Sequence, residues 1–246
     1  MHNNYFKNIY MIENKNHTQV LGVIGGMGPI ASAQFVLTIY NCNRHLQEQE
    51  MPEIILYSHT AIVDRSASIL SGSFDKFSES LIDLLIKVEN TCDKIIICCF
   101  TAHNTWDEIP LRIRPKIINL IEYSYDRLRK EENNVLLIAT EGTYRSGVFL
   151  KDKPENLILL SGEDIELVHS IIYKELKHGI CHIDIIIKFN ELKLKYNCQK
   201  ILAGCSELHL LKVSFPDDDS ILDPLFEIAC GLKELMSKVC FEKTIE

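Results

Sequence analysis

"CDKIIICCFTAH", Cys92 to His103, opens as a buried strand and closes on reactive side chains. Three isoleucines in a row after Lys94 show no polar alternation, the pattern of a strand covered on both faces in a parallel sheet. Such a strand has no packing need for thiols at its exit. Cys98 and Cys99 are either small apolar fillers or one of them is a reagent.

A second stretch, "CQKILAGCSELH", Cys198 to His209, overlays the first at an offset of 106 residues. Cys92 falls on Cys198, Lys94 on Lys200, Ile95 on Ile201, Cys99 on Cys205 and His103 on His209. Two strand-turn openings also overlay, "VIGGMG" on "LIATEG", with Gly28 on Gly142 at an offset of 114. Two matches in the same order point to a duplicated α/β unit. Val20 to Ile24, Glu53 to Tyr57 and Lys94 to Cys98 read as strands of the first unit. Ala31 to Tyr40 and Phe77 to Val88 carry helical periodicity. In the second unit "NVLLIATEGT" reads as strand then turn, and "EDIELVHSIIYKELKHG" as a helix stopped by Gly179. A last helix follows Pro224. The fold class is α/β, with parallel sheets flanked by helices.

Composition narrows the functions. A formal charge of -8 argues against nucleic acid, which needs basic patches. The apolar runs are far shorter than the roughly 20 residues of a membrane helix. Nine cysteines, an odd count in a long chain, read as reduced thiols of a cytoplasmic protein. No C-x-x-C pair supplies a zinc framework, so no metal is expected. The first 17 residues are polar, lack the apolar core of a signal peptide, and read as a loose extension. "GGMGP" lacks the Lys-Ser/Thr of a P-loop and the spacing of a dinucleotide fingerprint, so it reads as a pocket wall. Cys92, Cys98, Cys198 and Cys230 read as apolar fillers. His103 and His209 read as packing or helix-start residues.

Ligands of parallel sheets sit at the carboxyl ends of the strands. Cys99 and Cys205 would therefore face each other across a cleft. A base on one face of a carbon and an acid on the other invert it by proton transfer. Two thiols suit this, because the reverse direction exchanges their roles and a reference pKa of about 8.5 gives access to both forms.

"IGGMGP", "CCFTAHN", "AGCSE" and "LDPLFEIA" resemble the aspartate/glutamate racemase family, most closely its aspartate racemase branch. The resemblance runs from about Leu21 to the C-terminus. It implies two pseudo-symmetric α/β domains with the active site between them, here 18–118 with 223–246, and 119–222. It implies no cofactor, an acidic amino acid as substrate, and a homodimer. Carried over, Cys99 and Cys205 are the catalytic pair. Arg65, in "VDRSA", and Lys177, in "IYKELKHG", hold the distal carboxylate. Met27 lines the pocket and Thr101 helps hold the α-carboxylate. Phe100 stands where the family has asparagine, leaving its backbone N–H to the substrate. Cys98 stands in place of proline. Glu141 stands in place of threonine, which brings a carboxylate toward the substrate. Two other readings stay open: a two-lobed binder of a small carboxylate without turnover, and a related isomerase or decarboxylase of another acid.

Overall fold

The computed structural model describes residues 19–237. The extension expected over 1–17, and Cys240, lie outside the described residues. Strand β1 (Val20–Gly25) is buried along its whole length and is the centre of a three-stranded parallel sheet. It pairs with β2 (Glu53–Ser58) on one side and β3 (Lys94–Ile97) on the other. Beyond β3, Ile117 adds a single parallel bridge to Ile95. A four-stranded parallel sheet repeats this order. Its strand β4 (Val135–Ile138) lies between β5 (Leu157–Ile158) and β6 (Lys200–Ala203), with β7 (Ile221–Leu222) outside β6. The duplicated winding read from the sequence is thus present in the strand order.

Helices cover these sheets: α1 (Pro29–Cys42), α2 (Arg65–Leu70), α3 (Asp75–Val88), α4 (Leu120–Leu128), α5 (Glu141–Ser146), α6 (Glu163–Lys174), α7 (Ile183–Lys195), α8 (Leu208–Ser214), α9 (Pro224–Cys230) and α10 (Leu232–Ser237). The helix expected to end at Gly179 does so through a 3-10 turn, Leu176–His178. Gly179 takes the left-handed conformation (φ 74°) that a C-terminal stop favours.

Alternation along each strand divides the core. Leu21, Val23, Ile96 and Cys98 join Val135, Leu137 and Leu202 in one cluster shared by both sheets. Their neighbours Ile24, Ile95, Ile97 and Cys99 face a second cluster under α3. Leu136, Ile138, Ile201 and Ala203 face a third under α6 and α7. Successive strand residues point to opposite faces, so Cys98 and Cys99 cannot share an environment. Cys98 is fully buried in the shared core. The first cysteine is the filler, and the second leaves the strand on the other side.

Cys92, Cys98 and Cys198 are buried, as fillers should be. Cys230 is not: it is exposed and disulfide-bonded to Cys42. This corrects the reading of Cys230 as a filler and of all nine cysteines as reduced thiols. The reason is tertiary. Helices α1 and α9 pack together and bring their last residues within 5.0 Å, Cα to Cα. No helix among the described residues is long and apolar enough to cross a membrane.

Candidate active site

The loops leaving β3 and β6 converge on one small cavity. It is lined by Met27, Arg65, Cys99, Phe100, Thr101, Lys177 and Cys205, which are all the candidate residues read from the sequence. Ser66, Thr140, Tyr173, Ser206 and Glu207 complete the wall.

Each side chain is held by local structure. Met27 and Gly28 sit in the turn between β1 and α1. Gly28 has φ 133°, and a Cβ there would come within 2.3 Å of Glu207 Oε1, so only glycine fits. Arg65 opens α2, whose N-cap, Asp64, accepts from the Ala67 N–H at 2.9 Å. The Arg65 guanidinium is buried and donates to the Met27 carbonyl at 3.0 Å. Burial opposes its charge, but Cys99, Asp64 and Glu207 outweigh burial and raise its pKa.

Lys177 comes from the 3-10 turn after α6. Its Nζ lies 3.2 Å from Asp64 Oδ2 and 3.3 Å from the centre of the Tyr173 ring. Tyr173 O–H also donates to Asp64, at 2.9 Å. Burial works to raise the Asp64 carboxyl, but the Ala67 N–H, Lys177 and Arg65 overcome it and hold the pKa below the ordinary value.

The cysteines differ in surroundings. The Cys205 thiol donates to Glu207 Oε2 at 2.8 Å. Burial, then the Glu207 charge, pushes this thiol well up, so it keeps its proton. Ser206 Oγ donates to the same oxygen at 3.1 Å. Cys99 is buried at the strand exit, and its carbonyl receives His103 Nδ1 at 3.0 Å. Its cationic neighbour is Arg65.

A chain of hydroxyls crosses between the sheet units. Ser66 donates to Thr140 at 3.3 Å, Thr140 meets Thr143 at 3.0 Å, and Thr143 meets Thr101 at 2.8 Å. The side chain of Phe100 points away from the cavity into the shared core, where it stacks on Phe149 at 6.0 Å between centres.

Glu141 corrects an expectation. It does not line the cavity; at the first position of α5 its carboxylate turns to Arg145 one helical turn on, at 3.4 Å. His103 and His209 are built into the frame. His103 Nε2 accepts from the Leu120 N–H at 3.1 Å. His209 contacts Asp223 at 2.6 Å and Thr38 at 2.8 Å. Among the described residues no group of three or more His, Cys, Asp or Glu could hold a metal ion.

Sequence reasoning missed Asp64, Ser66, Thr140, Thr143, Tyr173 and Glu207. Glu207 lies in the quoted "AGCSE", Asp64 and Ser66 flank Arg65 in "VDRSA", and Tyr173 precedes Lys177 at i,i+4 spacing. The hydroxyl chain as a whole had no signal, since its links from Ser66 to Thr140 and from Thr143 to Thr101 span 74 and 42 residues.

Comparisons with known proteins agree with this architecture. The family model described as Asp/Glu/Hydantoin racemase matches residues 24–223. A broad specificity amino-acid racemase, RacX of Bacillus subtilis, is 23% identical over 155 residues, 61% of this chain and 64% of RacX. The chain thus matches less than two thirds of the length of that relative. The fold is shared with the aspartate racemase of Picrophilus torridus (TM-score 0.70, 21% identity, 89% of this chain and 94% of that one). It is also shared with an aspartate racemase homologue from Pyrococcus horikoshii (0.68, 19%, 90% and 100%). A glutamate racemase from Francisella tularensis, solved with D-glutamate, aligns at 0.57 with 20% identity over 89% and 81%.

Proposed function

Because this chain belongs to the Asp/Glu/hydantoin racemase family, we propose that it racemises an acidic amino acid, aspartate first and glutamate second, without a cofactor. The observation that carries this reading is the presence of Cys99 and Cys205, from matching strand ends of two sheets, in the wall of one cavity.

In this mechanism the Cys99 thiolate takes the α-hydrogen as a proton. The C–H electron pair moves into the α-carboxylate, and the Cys205 thiol delivers its proton to the opposite face of the carbon. One C–H bond breaks, one forms, and the sulfurs exchange protonation states; the return reaction swaps their roles. The protonated state of Cys205 supports it as first donor. Arg65 offsets the charge that develops on the carboxylate carbanion and, with Lys177, orients the distal carboxylate. Thr101 and the Phe100 backbone take the α-carboxylate.

The pairing of Lys177 with Asp64 at 3.2 Å favours a second reading. One of the two cations already has a carboxylate, so the site would take a wider range of amino acids, as the name of RacX says of that protein. Incorporation of solvent deuterium at Cα, measured across a panel of L- and D-amino acids, separates these readings. Stabilisation by a ligand without exchange would indicate a binder. Cys99→Ser and Cys205→Ser should each slow exchange by about 100-fold or more, the scale of a lost acid-base group. Exchange that persists after both thiols are removed defeats the mechanism.

A further inference from the structure

Two residues of the cavity wall, Glu207 and Arg65, each carry a buried polar atom without a partner, and the two atoms, Glu207 Oε1 and Arg65 Nε, are of opposite character. Glu207 is only 2% exposed. Its other oxygen is committed, receiving the Cys205 thiol and the Ser206 hydroxyl. Oε1 lies against the Gly28 turn, where the missing side chain leaves it room. An unsatisfied buried group is costly, and more so when charged. Arg65 is similar: its Nη2 is spent on the Met27 carbonyl while Nε is not.

A ligand carrying both an ammonium and a carboxylate satisfies both atoms at once. We infer that Glu207 Oε1 accepts the α-ammonium of the substrate, and that Arg65 Nε faces one of its carboxylates. This rests on the racemase reading, which supplies an amino acid as ligand. It also assigns an arrangement. One oxygen of the Glu207 carboxylate holds the Cys205 thiol, so an ammonium on the other oxygen brings the adjacent α-carbon beside that sulfur. Glu207 then separates amino acids from des-amino acids. A dicarboxylate lacking the ammonium leaves Glu207 Oε1 without a donor and sets a further carboxylate against it, with Arg65 shared between them.

The test compares ligand pairs that differ only in the amine, L-aspartate with succinate and L-glutamate with glutarate, by calorimetry on the full chain. The wild type should bind the amino acid about 30-fold or more tightly than its des-amino partner, the scale of losing one member of a buried charge pair. Glu207→Gln keeps an acceptor for the thiol and removes the charge; it should bind both members of a pair about equally. Equal binding of a pair by the wild type overturns the inference without need of any variant. Discrimination that survives in Glu207→Gln overturns it as well. Failure of every amino acid to bind overturns both the inference and the racemase reading. Discrimination in binding without α-deuterium exchange leaves Glu207 as the ammonium acceptor and defeats only the racemase.

Discussion

His103 should make this protein lose stability in mild acid. Its Nε2 accepts from the Leu120 N–H, so the proton sits on Nδ1 and is donated to the Cys99 carbonyl. The ring is therefore neutral. Burial, opposed in part by its backbone bonds, lowers its pKa from 6.5 to about 4. In the unfolded chain the imidazole takes a proton near 6.5, while in the folded one it resists until about 4. Between those values the unfolded state holds more protons, so stability is complete above 6.5 and falls as the pH drops. At about 1.4 kcal/mol per pH unit, the interval is worth about 3 kcal/mol. His103→Gln can form both bonds but does not titrate. Urea unfolding of both proteins at pH 7, 6, 5 and about 4.5 isolates the term, since the other titrating groups are common to both. The wild type should lose most of about 3 kcal/mol more than the variant. Parallel stability curves would refute a neutral, buried imidazole holding the Cys99 loop.

Three other outcomes are expected. Opening the Cys42–Cys230 bridge, by reductant or by Cys42→Ala, releases a separation of 188 residues and should lower stability by up to about 5 kcal/mol in urea melts; no change would mean that the bridge is not formed in solution. Asp64→Asn keeps a helix cap but frees Lys177, so KM for an acidic substrate should fall several-fold; a rise in KM would mean that Asp64 orients the lysine instead of occupying it. Gly28→Ala meets both a disfavoured φ and Glu207, and should cost about 1–3 kcal/mol while shifting the pH profile of any activity; a neutral substitution would mean that the turn has slack.

The sequence was most legible where one residue's surroundings depend on its neighbours in the chain. Unbroken apolar runs identified β1, β3, β4 and β6, and the overlay of Cys99 on Cys205 identified both strand exits. Helix α2 is a six-residue piece defined by its Asp64 cap and was not readable from periodicity. Helix α7 has no clean helical periodicity in the sequence, since its buried stripe of Ile185, Ile186, Phe189 and Leu192 is interleaved with further isoleucines. The Cys42–Cys230 pair, the Asp64–Lys177 contact and the hydroxyl chain join residues with no local signature. The first exists because α1 packs on α9, and the other two because the sheet units close on each other. Glu141 misled for a local reason: at the first position of α5 its side chain turns to Arg145 one helical turn on.

The interleaved cluster of Leu21, Val23 and Ile96 with Val135, Leu137 and Leu202 bears on how a duplicated chain of this type arises. Both halves contribute residues to that cluster, so a lone half would open part of it to water. A half-length precursor would close that opening by associating with its own twin. Fusion then turns a bimolecular encounter into an intramolecular one, and frees each copy to drift, as Phe100 and Ser206 now differ on opposite sides of what was once a symmetric seam.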